Sequence, residues 1–261
     1  MIDFHAHIFP EKIADRTIQH LSEICKMPPY TNGKREGLLK SMEEAGIDRS
    51  VILPVVTAPR QFDSIHRFAM EFLDGEKLIS FGGIHPETPD FKEKLRWIKE
   101  QGFKGIKFHP DYQETYFDDI KYKRIIAYAS ELDLIVVTHA GVDPYSPEDV
   151  HCTPKMIAEM VDEVQPKKLI LAHMGGNLMY DDVEHYLVGR DVYLDTSYVL
   201  DKMPIEQFMR IVRNHGTDKI LFATDSPWGN QKAFVDLFMS LPFTIEEQKK
   251  IAHENAEKLL L

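Results

Sequence analysis

Eight times along the chain a short run rich in Val, Ile and Leu gives way to a polar turn and then to a helix-period stretch. The strand candidates are IDFHAH (2–7), SVILPVV (50–56), LISFGGIH (78–85), FKGIKFH (103–109), LIVVTH (134–139), KLILAH (168–173), VYLDTS (192–197) and KILFATD (219–225). Near-continuous apolar runs such as LIVV and LILA suit parallel strands covered on both faces. Between them the periodicity predicts helices over 34–46, 61–74, 90–101, 119–132, 154–165, 178–188, 204–214 and 230–239. An extra helix is expected around 10–25, before PPYTNG. A last one over TIEEQKKIAHENAEKLLL opens with Thr244 and Glu247 in capping-box spacing. This alternation predicts an α/β chain folded as a (β/α)8 TIM barrel. At 261 residues it reads as a single domain, 1–261. An open doubly wound sheet would call for a GxGxxG turn after the first strand, and there is none.

In such a barrel the working groups gather at the C-terminal ends of the strands. Reading those ends alone gives His5 and His7, Arg60 just past the second strand, His85, Lys107, His109, His139, His173 and Asp225. Half of the twelve histidines are among them, which a scatter of ordinary histidines would not produce. Strand alternation turns Asp3, His5 and His7 to one face and Ile2, Phe4 and Ala6 to the other. Neutral imidazole with carboxylate suits a borderline divalent ion, and a catalytic site leaves one position open for water. Zinc fits first, as one or two ions, with manganese or another transition metal as alternatives. Water held by such an ion loses its proton near neutral pH. Asp225, touching both, could carry that proton, and His173 could ligate or polarise a substrate carbonyl.

These stretches resemble the amidohydrolase superfamily, and within it the amidohydrolase-family-2 branch of metal-dependent TIM-barrel hydrolases and decarboxylases. The resemblance rests on IDFHAH, GIKFHP, VVTHAG, LILAHMGG, YLDTS, LFATDSPW and ENAEKLL, spread over nearly the whole chain. It implies that His5, His7, His139 and Asp225 hold the metal, with His173 as ligand or catalytic histidine. It also implies a role for Lys107, which stands where two-metal members carry a carboxylated, bridging lysine. The residues alone leave other roles open: an ammonium that binds a substrate carboxylate, or a side chain that snorkels to the barrel mouth. His109 falls on the same face as Lys107 and is a ligand or substrate contact.

Arg60 could clamp a carboxylate, a task for which guanidinium geometry is suited. His85 and Trp228 are further candidates for the substrate wall, and Asp3 and Asp195 for orienting a ligand histidine. His20, His66, His151, His185, His215 and His253 fall away from the strand ends and read as structural. A net charge of −11 argues against a nucleic-acid partner, which would need a basic stripe. Two cysteines make no disulfide framework, and neither a signal segment nor a membrane-length apolar run is seen, so a cytoplasmic protein without membrane contact is expected. Its partner is then a small-molecule substrate, and a homo-oligomer is compatible with the sequence. The leading expectation is a metal-dependent hydrolase of a carbonyl, amide or lactone-type bond. A metal-dependent non-oxidative decarboxylase is the alternative. A non-catalytic metal-binding barrel is disfavoured, because closed structural zinc sites often use cysteine and these candidates include none.

Overall fold

The computed structural model describes residues 1–73 and 75–261. Its strands are β1 (Ile2–Ala6), β2 (Arg49–Ile52), β3 (Leu78–Ser80), β4 (Gly82–Gly83), β5 (Gly105–Phe108), β6 (Ile135–Thr138), β7 (Leu169–Leu171), β8 (Tyr193–Asp195) and β9 (Ile220–Leu221), paired in parallel as β1-β2-β3 and β4 through β9. Backbone hydrogen bonds bridge both gaps between these ladders. Phe81 N donates to Ile52 O (2.9 Å) on the β2 side, while Gly82 and Gly83 pair with Ile106 and Lys107 of β5. β3 and β4 are therefore two halves of one strand, broken where it changes partner. At the other gap Phe4 N donates to Phe222 O (2.9 Å), Asp225 N to His5 O (2.9 Å) and His7 N to Ser226 O (2.6 Å). The ring of eight strands closes into a barrel.

Ile2, Phe4, Val51, Leu53, Phe81, Ile135, Val137, Ile170 and Leu221 fill the barrel. Each inward position alternates with one that faces the helices, as the two-residue period requires. The helices are α1 (Glu11–Cys25), α2 (Arg35–Ala45), α3 (Phe62–Ala69), α4 (Phe91–Glu100), α5 (Ile120–Glu131), α6 (Pro154–Val164), α7 (Tyr180–Tyr186), α8 (Ile205–His215), α9 (Gln231–Ser240), α10 (Ile245–Lys249) and α11 (Asn255–Leu260). Most lie within a residue or two of their expected spans; the helix expected over 61–74 ends on Asp74, outside the described residues. Side-chain caps begin several, such as Asp119 accepting from Lys121 N (2.7 Å) and Thr153 accepting from Met156 N (3.3 Å). No described helix is long and apolar enough to cross a membrane.

Two features depart from the sequence expectation. The terminal helix is not continuous: after the Thr244–Glu247 capping box, a π-helical turn over Lys250–Glu254 separates α10 from α11. Within it Ile251 O accepts from Phe222 N (3.0 Å), joining the segment to the end of β9. The turn lets α11 lay Ala256, Leu259 and Leu260 across the barrel floor.

The second departure is in β1. Asp3 pairs with Ser50 but Ala6 with Ile52, so β1 carries one residue more than β2 between these points. This bulge resets the alternation. Ile2 and Phe4 point into the barrel core, and Asp3 is turned away from it, where Thr224 N (2.9 Å), Thr224 Oγ1 (2.6 Å) and Gln231 Nε2 (2.8 Å) donate to its carboxylate. Asp3 thus does not share a face with His5 and His7. Burial pushes its carboxyl up to about 6, against the pull of those donors.

His66 on α3 pins the broken strand. Its Nδ1–H donates to Phe62 O (2.7 Å) and its Nε2 accepts from Gly83 N (3.3 Å). Burial lowers its pKa from the ordinary 6.5 to about 4, so the folded protein keeps the ring neutral. The stabilisation is complete above about pH 6.5 and is lost as the pH falls through about 4, by up to about 3 kcal/mol. Denaturant unfolding at stepped pH should show that acid-side decline, and His66→Phe should flatten part of it. A variant with an unchanged acid slope would remove His66 as its source.

Candidate metal centre

The C-terminal ends of the strands open into a cavity of about 1190 Å³. Every residue expected at the site from the sequence lines it: His5, His7, Arg60, His85, Lys107, His109, His139, His173, Asp225 and Trp228. The β1 bulge turns His5 and His7 to the mouth. Asp225 continues the inward alternation of Leu221 and Ala223 and has a left-handed backbone (φ 66°), as does His173 (φ 56°). Positive φ is uncommon outside glycine and clusters at functional sites. At His173 it redirects a side chain that alternation after Ile170 would send outward.

His5 Nε2 lies 3.1 Å from His7 Nε2, and Asp225 Oδ1 lies 3.5 Å from the first and 3.3 Å from the second. The opposite nitrogens fix the tautomers: His5 Nδ1–H donates to Asp195 Oδ2 (2.9 Å) and His7 Nδ1–H to Leu53 O (2.9 Å). Two Nε2 lone pairs therefore face one carboxylate oxygen. Donors held at about 2.0–2.2 Å around a tetrahedral ion stand about 3.4 Å apart, so this trio fits a divalent cation. Lys107 Nζ joins the same vertex, 3.1 Å from His5 Nε2.

Burial dominates the electrostatics. It holds His5 well below the usual imidazole range, helped by the nearby Lys107, and lowers His173 as well. It also brings Lys107 down to about 8, although Asp195 and Asp225 pull the other way. Burial alone would raise Asp225, but the imidazoles of His7, His5 and His173 around it overcome this and hold the carboxyl well below the ordinary range. The vertex thus offers a neutral His5 imidazole and an anionic carboxylate, protonation states that a metal requires.

His139 and His173 stand beside this trio. His173 Nδ1–H donates to Ser197 O (3.0 Å), and its Nε2 is 3.1 Å from His139 Nδ1. The ring of His139 stacks on that of His109 (centroids 4.3 Å apart), and its Nε2 faces Asp111 and Asp143. His139 thus groups with His109 and Asp143, whereas His5, His7 and Asp225 form a group of their own. Asp111 and Asp143 are the residues that strand-end reading misses, since both lie in loops. The only hint was their place in HPD and THAGVD, just after histidines already singled out. His85 Nδ1 accepts from Glu87 N (3.1 Å), so it caps its own turn as well as lining the cavity.

Loop packing places Asp143. Asn177 N donates to Ala140 O (2.8 Å) and Val142 N to Asn177 O (2.9 Å), tying the loop after β6 to the one after β7. Gly141 sits between them at φ 86°, where a Cβ would lie 2.1 Å from Asn177 N. Only glycine allows that approach.

Asp195 serves both groups. Besides accepting from His5, its Oδ1 accepts from the backbone N–H of His173 (3.0 Å) and of Ser197 (3.0 Å). Asp195→Asn should leave the fold intact but weaken cation binding about 10–100-fold, the usual cost of losing a carboxylate behind a ligand histidine. Calorimetric titration of the stripped protein with zinc or manganese reads this; unchanged affinity would assign Asp195 to the backbone alone.

A family model described as "Amidohydrolase" matches residues 2–261. No curated protein sequence matches the chain. Among solved structures, the chain is similar to 2,6-dihydroxybenzoate decarboxylase from Rhizobium, at 21% identity and TM-score 0.72, covering 99% of this chain and 98% of that one. It is also similar to a dihydroxybenzoic acid decarboxylase from Polaromonas sp. with bound manganese and the inhibitor 2-nitroresorcinol, at 18% identity and TM-score 0.70, covering 99% and 96%. A TIM-barrel protein from Bordetella bronchiseptica matches at 17% identity and TM-score 0.77, covering 100% and 98%.

Proposed function

Since this chain belongs to the amidohydrolase family, we propose that it is a metal-dependent hydrolase of a small molecule with a carbonyl, amide or lactone-type bond. The observation that carries the reading is the convergence of His5 Nε2, His7 Nε2 and Asp225 Oδ1 beside the buried amine of Lys107, at the floor of a cavity open to solvent. A divalent ion bound there, zinc or manganese, would acidify a water and stabilise negative charge on a substrate oxygen.

The chain's own groups divide the remaining work. His5 and His7 bind through Nε2, their rings held by Asp195 and Leu53 O. Asp225 binds and, on its solvent-facing side, takes the proton of the attacking water and returns it to the leaving atom. His173 spends its only N–H on Ser197 O, so it serves as an acceptor and not as an oxyanion donor. Lys107, with its pKa brought to about 8, is a fractional base near neutral pH and a candidate for carboxylation. Arg16 and Arg60 on the outer wall favour a substrate that carries a carboxylate.

A second reading, non-oxidative decarboxylation of a small carboxylic acid, draws support from the two decarboxylases the fold resembles. The same trio would then hold substrate oxygens, and the Lys107 ammonium would deliver the proton to carbon. Turnover of a panel of esters, lactones, amides and hydroxylated aromatic acids separates the two. Incorporation of oxygen from labelled water into the product is expected, and release of carbon dioxide without it would favour decarboxylation. Chelator should abolish turnover and added zinc or manganese restore it. Asp225→Asn should slow the reaction by about 10²–10⁴-fold, and a near-normal rate would take Asp225 out of the chemistry.

A further inference from the structure

The cavity extends well beyond the donor groups at its floor. Pockets for small ligands enclose about 300–1,000 Å³, and this one encloses about 1190 Å³. Its outer walls come from two helices. α1 buries Ala14 and Ile18, and Ile18 packs so closely on Gly33 that a Cβ there would lie 2.7 Å from it. The neighbouring stripe of the same helix, Ile13, Thr17 and Leu21 at four-residue spacing, lines the cavity instead. α3 repeats the arrangement: Phe62, His66 and Ala69 are buried, while Ser64, Ile65 and Phe68 line the cavity. These helices follow β1 and β2, which are adjacent, so the two stripes border one sector of the mouth. Ile13 stays 38% exposed there, an apolar side chain that no part of the described fold covers.

The rim of this sector is positive in a chain of net charge −11. Arg16 stands beside Thr17 on α1, and Arg60 stands just before α3; both line the cavity. The turn that carries Arg60 is fixed, because Gln61 Oε1 accepts from Thr57 N (2.8 Å), Thr57 Oγ1 (2.9 Å) and Ala58 N (3.1 Å). Lys34, the base on the far side of α1, is taken up by Glu11 and Asp15. Among the described residues no carboxylate does the same for Arg16 or Arg60. Their charges are left for a ligand.

Resting on the hydrolase reading above, we propose that this sector binds the apolar arm of an ω-carboxylated substrate, a mono-ester or mono-amide of a medium-length dicarboxylic acid. The bond that reacts lies over His5, His7 and Asp225. The hydrocarbon spacer lies against the α1 and α3 stripes, and the far carboxylate meets Arg16 and Arg60, whose planar donors suit it. From Ile13 to Leu21 the α1 stripe runs about 12 Å. A two-carbon spacer leaves most of that length bare, whereas a spacer of several methylenes covers it. The apolar walls thus select length and the rim selects charge. Each methylene taken from water onto such a wall is worth about fourfold in affinity.

The test is a binding series that needs no turnover. Zinc-loaded full-length protein is titrated calorimetrically with linear dicarboxylic acids from glutarate to dodecanedioate, and with monocarboxylic acids of the same lengths. Affinity should climb about fourfold per methylene and level off once the sector is filled. At that length the dicarboxylate should bind about tenfold more tightly than the monoacid. Combining Arg16→Ala with Arg60→Ala should erase this advantage, and Thr17→Trp or Ile65→Trp should flatten the climb from either wall. The arginine positions are exposed, so the double variant reports even if a tryptophan variant unfolds. Affinity that ignores chain length overturns the proposal, as does a dicarboxylate advantage that survives in the double arginine variant. Ester turnover is followed in parallel. A protein that hydrolyses nothing but keeps the length series loses the hydrolase reading and retains the arm. One that hydrolyses short esters and shows no length dependence in either assay retains the hydrolase reading and loses the arm.

Discussion

A buried carboxylate closes the barrel. Asp3 accepts from Thr224 N (2.9 Å), Thr224 Oγ1 (2.6 Å), Gln231 Nε2 (2.8 Å) and His5 N (3.2 Å), joining the first strand to the residues after the last one and to the start of α9. Ladder pairing at this seam is sparse, so the side chain supplies what the backbone does not. A buried ionisable group is tolerable only when its oxygens are filled, and here four donors fill them. His5 lies two residues along on one side of the seam and Asp225 one residue past Thr224 on the other. The candidate metal vertex is therefore assembled by the same contact that completes the fold.

The site is built in two tiers of rigidity. Imidazoles come from strand ends or from within two residues of them, and the Nδ1 atoms of His5, His7 and His173 are tied to Asp195, Leu53 O and Ser197 O. Carboxylates of the second cluster come from loops, and these loops are in turn stitched to a neighbour through Asn177 or Ser146. Positioning of this kind spends binding energy before any ligand arrives, which is how a preorganised centre differs from a flexible one. Low solvent access then strengthens every charge interaction inside.

Much of this was legible from the sequence because it depends on period. Strand-end position placed His5, His7, Lys107, His139, His173 and Asp225 on one cavity, two-residue alternation agreed for Lys107, His139 and Asp225, and eightfold alternation gave the barrel. What period cannot register is its own interruption. An added residue in β1 moved Asp3 off the His5 face, a change of partner at Phe81 split one strand in two, and a π turn divided a helix whose capping box read correctly. Asp111 and Asp143 escaped for a related reason. They act from loops, where orientation follows from contacts with residues more than thirty positions away, such as Ser146 with Asp111 and Asn177 with Val142.

The row running from Ser197 through His173 to His139 has a direction. A peptide oxygen cannot give a proton, so the ring beside it must point its hydrogen outward, and the next ring inherits the same sense. Reversing one member would require reversing all of them, like arrows on a single wire. A main-chain atom after β8 thereby sets the polarity of an imidazole edge after β6, two strands away. Shifting that loop by a residue would recast the electrical character of that edge without touching the side chain that carries it.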